Sequence, residues 1–189
     1  MRGDDLYSLP LDLPVPVDDG ACAHLVGRAV PPVALPSTSG GLVRLDQPRA
    51  RFTVVYAYPR TGRPDVDSPA GWDEIPGARG CTPQTCAYRD HHAALRSLGA
   101  EVFGLSTQDT PYQQELAERL HLPFPVLSDA DLALARALAL PTWTFGGETL
   151  LKRHTLILRG GLIEHVLYPV FPPDADAGRV CAWLSRQSA

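Results

Sequence analysis

The sequence lacks the features that mark several classes of protein. Its 17 lysines and arginines are outnumbered by 21 acidic residues and form no basic cluster. Because nucleic-acid binding normally requires a basic face, we expect no nucleic-acid partner. No apolar run approaches the roughly 20 residues that span a bilayer, and prolines rather than an apolar core follow the N-terminus. We therefore expect no membrane partner and a cytoplasmic location.

Patterns that would hold a metal or a cofactor are also missing. The six histidines do not cluster with cysteines at the spacing of metal ligands. His91 and His92 fall in the exposed middle of a predicted helix, where such a pair is usually solvated. The pairs Gly146-Gly147 and Gly160-Gly161 resemble turns rather than a phosphate-binding loop. We expect neither a metal nor a cofactor.

Cysteine is scarce, and its distribution favours redox chemistry. Four cysteines, at positions 22, 81, 86 and 181, are too few for a disulfide scaffold and form no paired metal-ligand knuckles. Cys181 lies in a predicted amphipathic helix, where we expect an inert buried thiol. Cys22 is expected in a loop of a flexible N-terminal arm, where an incidental thiol is favoured over a second resolving thiol.

Cys81 and Cys86 lie near the start of a predicted helix. Thr82 is expected to cap this helix, which extends from Pro83 to Leu98 and ends at Gly99. Cys81 would then stand just ahead of the helix, where free amides and the helix dipole favour a thiolate. Cys86 follows five positions later, so that one thiol can react and the other can resolve it.

Strand and helix signals alternate along the chain. We predict one domain over residues 25–189, preceded by an extended arm at residues 1–24. The alternation indicates an α/β fold, and its order is that of a thioredoxin-like fold with a central mixed sheet. In the second helix, Thr110 is expected to be the cap and Gln113 to complete a capping box. The predicted strands cover residues 52–58, 101–106, 124–127, 153–158 and 162–167, a hairpin covers residues 25–45, and two further helices cover 130–140 and 174–187.

Three segments resemble one known family. The run GCTPQTCAYRD at residues 80–90 resembles the active-site signature of peroxiredoxins of the Q or bacterioferritin-comigratory type. The run LPFPVLSD at 122–129 is similar to a strand and turn of that family, and RHTLIL at 153–158 resembles the strand that carries its active-site arginine. The resemblance covers about residues 30–187 of the chain.

The resemblance implies a function and roles for particular residues. It implies a thiol peroxidase that reduces hydrogen peroxide and organic hydroperoxides, with a thioredoxin-like reductant, as a monomer or weak homodimer. Cys81 would form a sulfenic acid, and Cys86 would resolve it as an intramolecular disulfide. Arg153 would stabilise the thiolate and the peroxide, although an arginine at a strand edge can also simply pair with a surface acid. Arg89 is expected to have a structural role, pairing with Asp90 or Asp129.

The sequence departs from the family pattern ahead of Cys81. The family has a threonine three residues before the reactive cysteine, and here that position is Ala78. Thr61 stands earlier, after a strand, and residues 62–80 follow it as an apparent insertion. We expect this insertion to be a lid anchored by Trp72 and Ile75, which folds Thr61 back beside Cys81 to donate to the peroxide. A passive surface loop is the alternative.

Other functions fit parts of the pattern. A disulfide oxidoreductase on the same fold usually has its two cysteines closer together, separated by two residues. A non-enzymatic redox sensor or holdase would fit a site that has lost its threonine. A peroxidase would also require the helix to open, because five residues advance about 7.5 Å along it and a disulfide bridges Cα atoms less than ~7 Å apart.

Overall fold

A five-stranded mixed β-sheet forms the centre of the fold. The structure, a computed structural model, describes residues 6–47 and 49–187. These residues form the strands β1 (Ala34–Pro36), β2 (Leu42–Arg44), β3 (Phe52–Ala57), β4 (Ala100–Ser106), β5 (Val126–Ser128), β6 (Thr142–Phe145), β7 (Glu148–Leu151), β8 (His154–Arg159) and β9 (Leu162–Leu167). The helices are α1 (Cys81–Ser97), α2 (Thr110–Arg119), α3 (Ala133–Leu138) and α4 (Asp176–Arg186).

The sheet has the strand order β5-β4-β3-β8-β9. Strands β3, β4 and β5 run parallel, and β8 and β9 are antiparallel to their neighbours. The central strand β3 is buried along its whole length, as expected for a strand covered on both faces. This arrangement confirms the predicted α/β class with a central mixed sheet.

Two apolar clusters cover the two faces of the sheet. Alternate residues of β3 point to opposite faces: Val54 and Tyr56 join a cluster with α1, α2 and α4, and Val55 and Ala57 join a cluster with α3 and the segment before β3. Strand β3 is therefore enclosed between the two clusters. The chain leaves β3 at Ala57 and continues through residues 58–80 to the start of α1.

The hairpins are partly as expected. Strands β1 and β2 form the hairpin predicted within residues 25–45. The antiparallel pair β6 and β7 was not predicted, although its turn, Gly146-Gly147, was. Its signal was the alternation Thr142-Trp143-Thr144-Phe145 before that turn.

The start of α2 differs from the expectation. Asp109, not Thr110, caps α2, since its carboxylate accepts a hydrogen bond from the Tyr112 amide at 2.8 Å. Gln113 is buried and donates to Ser106 Oγ and the Leu127 carbonyl, so it forms no capping box.

In the described part of the chain, no helix is both long and apolar enough to cross a membrane.

Helix α3 is shorter than the predicted span of residues 130–140. Leu132 and Ala139, which flank it, have left-handed backbone conformations with φ of 56° and 53°. The buried Asp129 carboxylate accepts from the amides of Leu134 and Ala135, so it takes the place of a local cap. The helix is thus bounded by backbone geometry that side-chain pattern alone does not reveal.

Candidate active site

Helix α1 begins at Cys81, two residues earlier than predicted. Gly80 is its N-cap, with φ 101°, and the Gly80 carbonyl accepts the Gln84 amide at 3.0 Å. Thr82 therefore lies inside the first turn and is not the cap. Pro83 also lies in that turn, where the missing N–H costs nothing because the first four amides have no partner within the helix. Cys81 is the first residue of the helix rather than a residue ahead of it.

The backbone at Gly80 is tightly enclosed. A Cβ atom built there would lie 2.7 Å from Pro173 Cγ and 2.8 Å from Leu9 Cδ2. Both the positive φ and these contacts require glycine. The start of α1 is thus packed between the N-terminal segment and the turn that precedes α4.

Arg153 contacts the sulfur of Cys81. It lies one residue before β8, is 3% exposed, and its Nη2 is 3.2 Å from Cys81 Sγ. The same nitrogen lies 3.0–3.2 Å from the carbonyl oxygens of residues 77, 78 and 79. Among the described residues Arg153 forms no ion pair with a surface acid. A permanent cation therefore faces the thiol inside the protein.

Residues 62–80, the active-site loop, enclose a small cavity over Cys81. The cavity measures about 50 Å³, and its lining includes Thr61, Trp72, Arg79 and Tyr112 together with Cys81. Arg79 is 7% exposed and donates through Nη1 to both oxygens of Asp73 within the loop. The loop therefore shapes access to the thiol.

An aromatic cluster anchors the active-site loop. Trp72 is 5% exposed, stacks on Trp143 with ring centroids 5.5 Å apart, and meets Phe145 edge-on at 5.2 Å. Ile75 packs beside it, partly buried. Trp143 and Phe145 belong to β6. The hairpin of β6 and β7, which was not predicted from the sequence, therefore supports the active-site loop.

Thr61 shares the cavity with Cys81 and is held by Gln108. The Gln108 Oε1 accepts from the Thr61 amide at 2.9 Å and from its hydroxyl at 3.1 Å. Gln108 Nε2 in turn donates to the Thr61 carbonyl at 3.2 Å. Since an amide oxygen can only accept, the hydroxyl proton of Thr61 is committed to Gln108.

Cys86 lies on the same helix as Cys81 and is not bonded to it. Both cysteines are free thiols, Cys81 buried and Cys86 half-buried. Burial raises the pKa of the Cys86 thiol, although Arg89 partly opposes this. Arg89 itself pairs with Asp90 at 2.9 Å and donates to the Leu120 carbonyl. Its contacts are those of the predicted structural role.

The two remaining cysteines do not line the cavity over Cys81. Cys22 lies in a turn, but its side chain is 5% exposed and packs in the core, which was not expected. Burial, with Asp18 and Asp19 nearby, raises its pKa to about 12. Cys181 is half-buried on α4, where burial also raises its pKa. Both thiols remain protonated near neutral pH, and a protonated thiol is a poor nucleophile.

Gln84 and Asp176 complete the site, and sequence reasoning missed both. Gln84 Oε1 accepts from Arg153 Nη1, and Gln84 Nε2 donates to Asp176 Oδ2 at 2.8 Å. Both side chains are fully buried. Gln84 lay within the signature run, whereas Asp176, 92 residues away, carried no local signal.

The fold is that of the thioredoxin-like class, and its site pairs a buried thiol with a guanidinium. Residues 25–180 match the family described as Redoxin. Peroxiredoxin Q of Gentiana triflora, named chloroplastic, is 31% identical over 185 residues, which cover 95% of this chain and 77% of that protein. The chain therefore belongs to the redoxin family and, within it, to the peroxiredoxins of the Q type.

Further relatives agree with this assignment. Peroxiredoxin Q of Oryza sativa subsp. japonica, also named chloroplastic, is 33% identical over 153 residues, covering 80% of this chain and only 63% of the rice protein. The crystal structure of peroxidoxin BcpB from Mycobacterium tuberculosis aligns with a TM-score of 0.71 and 25% identity over 86% of this chain and 98% of that chain. Peroxiredoxin Q of Xanthomonas campestris shares the fold, with a TM-score of 0.65 and 20% identity over 94% and 99% of the two chains.

Proposed function

We propose that the protein is a thiol-dependent peroxidase in which Cys81 is the reacting residue. The observation that supports this most directly is the 3.2 Å contact between Arg153 Nη2 and the sulfur of Cys81, a residue that lines the cavity under the active-site loop. A buried cation favours the thiolate, which is the nucleophilic form of cysteine. No acidic residue lies in the first turn of α1 to oppose this effect.

In the first step, the Cys81 thiolate attacks the terminal oxygen of the hydroperoxide. An S–O bond forms, the O–O bond breaks, and the leaving alkoxide or hydroxide takes a proton from solvent to give an alcohol or water. The sulfur is oxidised by two electrons to a sulfenic acid, and the peroxide is reduced. Arg153 is placed to stabilise the negative charge that moves from sulfur to the leaving oxygen.

In the second step, the Cys86 sulfur attacks the Cys81 sulfenic sulfur. An S–S bond forms and the sulfenic oxygen leaves as water, so no further oxidant is needed. Because both cysteines lie on α1, five residues apart, the first turns of that helix must open before the sulfurs meet. An external dithiol of the thioredoxin type then supplies two electrons and restores both thiols.

The size of the cavity favours small peroxides. About 50 Å³ holds only a few atoms beyond a single water molecule, which needs about 10–15 Å³ on the same measure. Hydrogen peroxide fits in this volume, whereas most of a bulky organic hydroperoxide would have to lie outside it. Thr61 can accept a hydrogen bond from the bound peroxide while its own proton stays on Gln108.

Mixing the reduced protein with one equivalent of hydrogen peroxide tests this proposal. Wild type should consume the peroxide and lose two free thiols as a Cys81–Cys86 disulfide, identified by peptide mass. Cys86→Ser should react once and stop at a sulfenic acid, and Cys81→Ser should not react. Cys181→Ser, which alters a thiol outside the site, serves as the matched control and should behave as wild type.

Peroxide consumption by Cys81→Ser at the wild-type rate would refute the assignment of the reacting thiol. A second thiol lost from Cys181 or Cys22 instead of Cys86 would refute the assignment of the resolving thiol. Disulfide exchange with a dithiol substrate, without any peroxide consumption, would identify an oxidoreductase instead.

A further inference from the structure

Asp176 is a carboxylate buried beneath the start of α1. It is the first residue of α4, is 0% exposed, and its Oδ2 accepts from three donors: Gln84 Nε2 at 2.8 Å, Tyr88 OH at 2.9 Å and Thr155 Oγ1 at 2.7 Å. Its Oδ1 has no hydrogen-bond partner. Three elements of the fold, α1, β8 and α4, therefore meet at a single oxygen atom.

Burying this group is costly, and the described residues provide no direct counter-ion. Among them, no lysine or arginine lies within ion-pair distance of Asp176. Burial raises the pKa of the carboxyl, and its three hydrogen bonds and the charge of Arg153 oppose that rise. A hydrophobic residue of similar size would avoid the desolvation cost. A carboxylate at this buried position therefore implies a role that an apolar residue cannot fill.

That role follows from the direction of the hydrogen bonds through Gln84. A guanidinium can only donate and a carboxylate can only accept. The amide of Gln84 lies between the two, so its oxygen must face Arg153 and its nitrogen must face Asp176. Reversing the amide would set donor against donor and acceptor against acceptor. Asp176 therefore holds the nitrogen end of Gln84 and stabilises the orientation in which the oxygen faces the arginine.

We infer that Asp176 is a positioning residue that acts through Gln84 to hold the Arg153 guanidinium on the Cys81 sulfur. Arg153 uses Nη1 for Gln84 and Nη2 for Cys81 and the loop carbonyls, so fixing Nη1 also fixes the plane in which Nη2 lies. The inference rests on the proposed function, because it matters only if Arg153 acts on a reactive Cys81.

A purely structural role is the competing explanation. The hydroxyls of Tyr88 and Thr155 also bind Asp176, and Tyr56 of β3 stacks on Tyr88 with ring centroids 4.2 Å apart. Asp176 thus also joins α1, β8 and α4. A test must measure the state of Cys81 separately from the stability of the fold.

Asp176→Asn changes the network with little change in shape. In one orientation the NH2 of the new asparagine faces the NH2 of Gln84, so that two donors oppose each other. In the other orientation this NH2 occupies the position of Oδ1, which has no hydrogen-bond partner. We expect the rate constant of Cys81 with hydrogen peroxide to fall about tenfold, by analogy with the lower end of the loss seen when the hydrogen-bond partners of metal ligands are removed. The pH at which Cys81 is half-maximally alkylated by iodoacetamide should rise.

Asp129→Asn is the matched control. Asp129 is also a buried aspartate, but its carboxylate accepts backbone amides at the start of α3, away from Arg153. We expect this control to lower the melting temperature without moving the alkylation profile of Cys81. An Asp176→Asn protein that behaves in the same way would overturn the inference and leave Asp176 a structural residue.

Exchanging the amide and the carboxylate between positions 84 and 176 tests whether the peroxide rate can be restored. Gln84→Glu alone sets two carboxylates against each other, and we expect its peroxide rate to fall as pH rises and the proton they share is lost. In the double variant Gln84→Glu/Asp176→Asn, the carboxylate introduced at position 84 accepts from Arg153, and the amide introduced at position 176 donates to that carboxylate. The second N–H of that amide can be accepted by the hydroxyl of Tyr88 or of Thr155, and these two hydroxyls, 3.4 Å apart, can share a hydrogen bond with each other. The double variant should recover most of the wild-type rate and profile, and losses that multiply would overturn the inference.

Arg153→Ala separates this inference from the proposed function. If Arg153→Ala leaves both the peroxide rate and the alkylation profile unchanged, the proposed role of Arg153 fails and the inference fails with it. If Arg153→Ala slows the reaction while Asp176→Asn does not, the proposed function stands and only the inference on Asp176 is wrong.

Discussion

Arg153 and Cys81 are 72 residues apart in the chain, and their side chains meet at 3.2 Å inside the protein. The same Nη2 atom also faces the three carbonyls that lead into α1. One side chain therefore both contacts the thiol and holds the segment that carries it. The state of Cys81 and the position of the active-site loop are consequently linked.

The charge and the geometry of Arg153 should contribute separately. Removing a preorganised donor typically slows a reaction by about 100-fold or more, so we expect at least this loss in the peroxide rate of Arg153→Ala. Arg153→Lys keeps the charge but loses the planar fork, and it should recover the rate only in part. Stopped-flow measurement of the first oxidation step, with iodoacetamide alkylation across pH, checks both variants. Equal rates in all three proteins would show that Arg153 is structural.

Oxidation should open the start of α1. Cys81 and Cys86 cannot join while the helix is intact, and Thr82, Pro83 and Thr85 are poor helix formers. Hydrogen exchange measured by mass spectrometry should therefore increase across residues 82–92 in the oxidised protein. Cys86→Ser treated with the same peroxide is the control and should remain protected. A disulfide formed with full protection of this segment would contradict the expected opening.

Gly80 should tolerate no side chain. Gly80→Ala adds a clash with Leu9 and Pro173 to the backbone cost of a positive φ, whereas Gly40→Ala pays only the backbone cost because nothing lies within 4 Å of the new Cβ. The positive φ alone costs an L-residue about 1–2 kcal/mol, so we expect that loss for Gly40→Ala and a larger one for Gly80→Ala. Urea unfolding measures both. Similar losses would mean that the neighbours of Gly80 move aside freely.

Stability should fall in mild acid because of His154. Burial lowers the pKa of its imidazole from 6.5 to about 4, and Nε2 has no hydrogen-bond partner. The unfolded state binds the proton more tightly than the folded state does. The stability that depends on a neutral His154 is therefore complete above pH 6.5 and is lost as pH falls toward 4. The shift corresponds to about 3 kcal/mol. The unfolding free energy at pH 7 and pH 4 measures the loss.

A His154→Gln protein is the control for the acid effect. It should be less stable than wild type at pH 7 but should lose less stability on acidification, since other titrating groups are common to both proteins. The same loss between pH 7 and pH 4 in both proteins would assign the acid sensitivity to groups other than His154.

The sequence predicted the elements whose signals are local. Gly99 has the left-handed conformation, φ 79°, expected at the end of α1, and the buried apolar run of β3 is the central strand. Cap assignments failed where two adjacent residues were both suitable caps, as at Asp109 and Thr110. There the choice depends on backbone angles that composition does not specify.

Contacts between distant parts of the chain were outside the reach of the local pattern. The resemblance to a family suggested Cys81 and Arg153, but nothing near Asp176 indicated a buried carboxylate under α1. Its partner Gln84 is 92 residues away, and the spacing of apolar residues carries no information about which polar groups share a buried hydrogen bond. Such groups emerge only when the helices and strands are packed together.

The stacked pair Trp72 and Trp143 gives the protein a built-in optical probe. One indole belongs to the active-site loop and the other to β6, with ring centroids 5.5 Å apart, so separating them changes the environment of two of the three tryptophans. The third, Trp183, is stacked on His165 in a different part of the fold and provides a steady background. Any displacement of the loop from β6 would therefore change the intrinsic fluorescence, without any attached label.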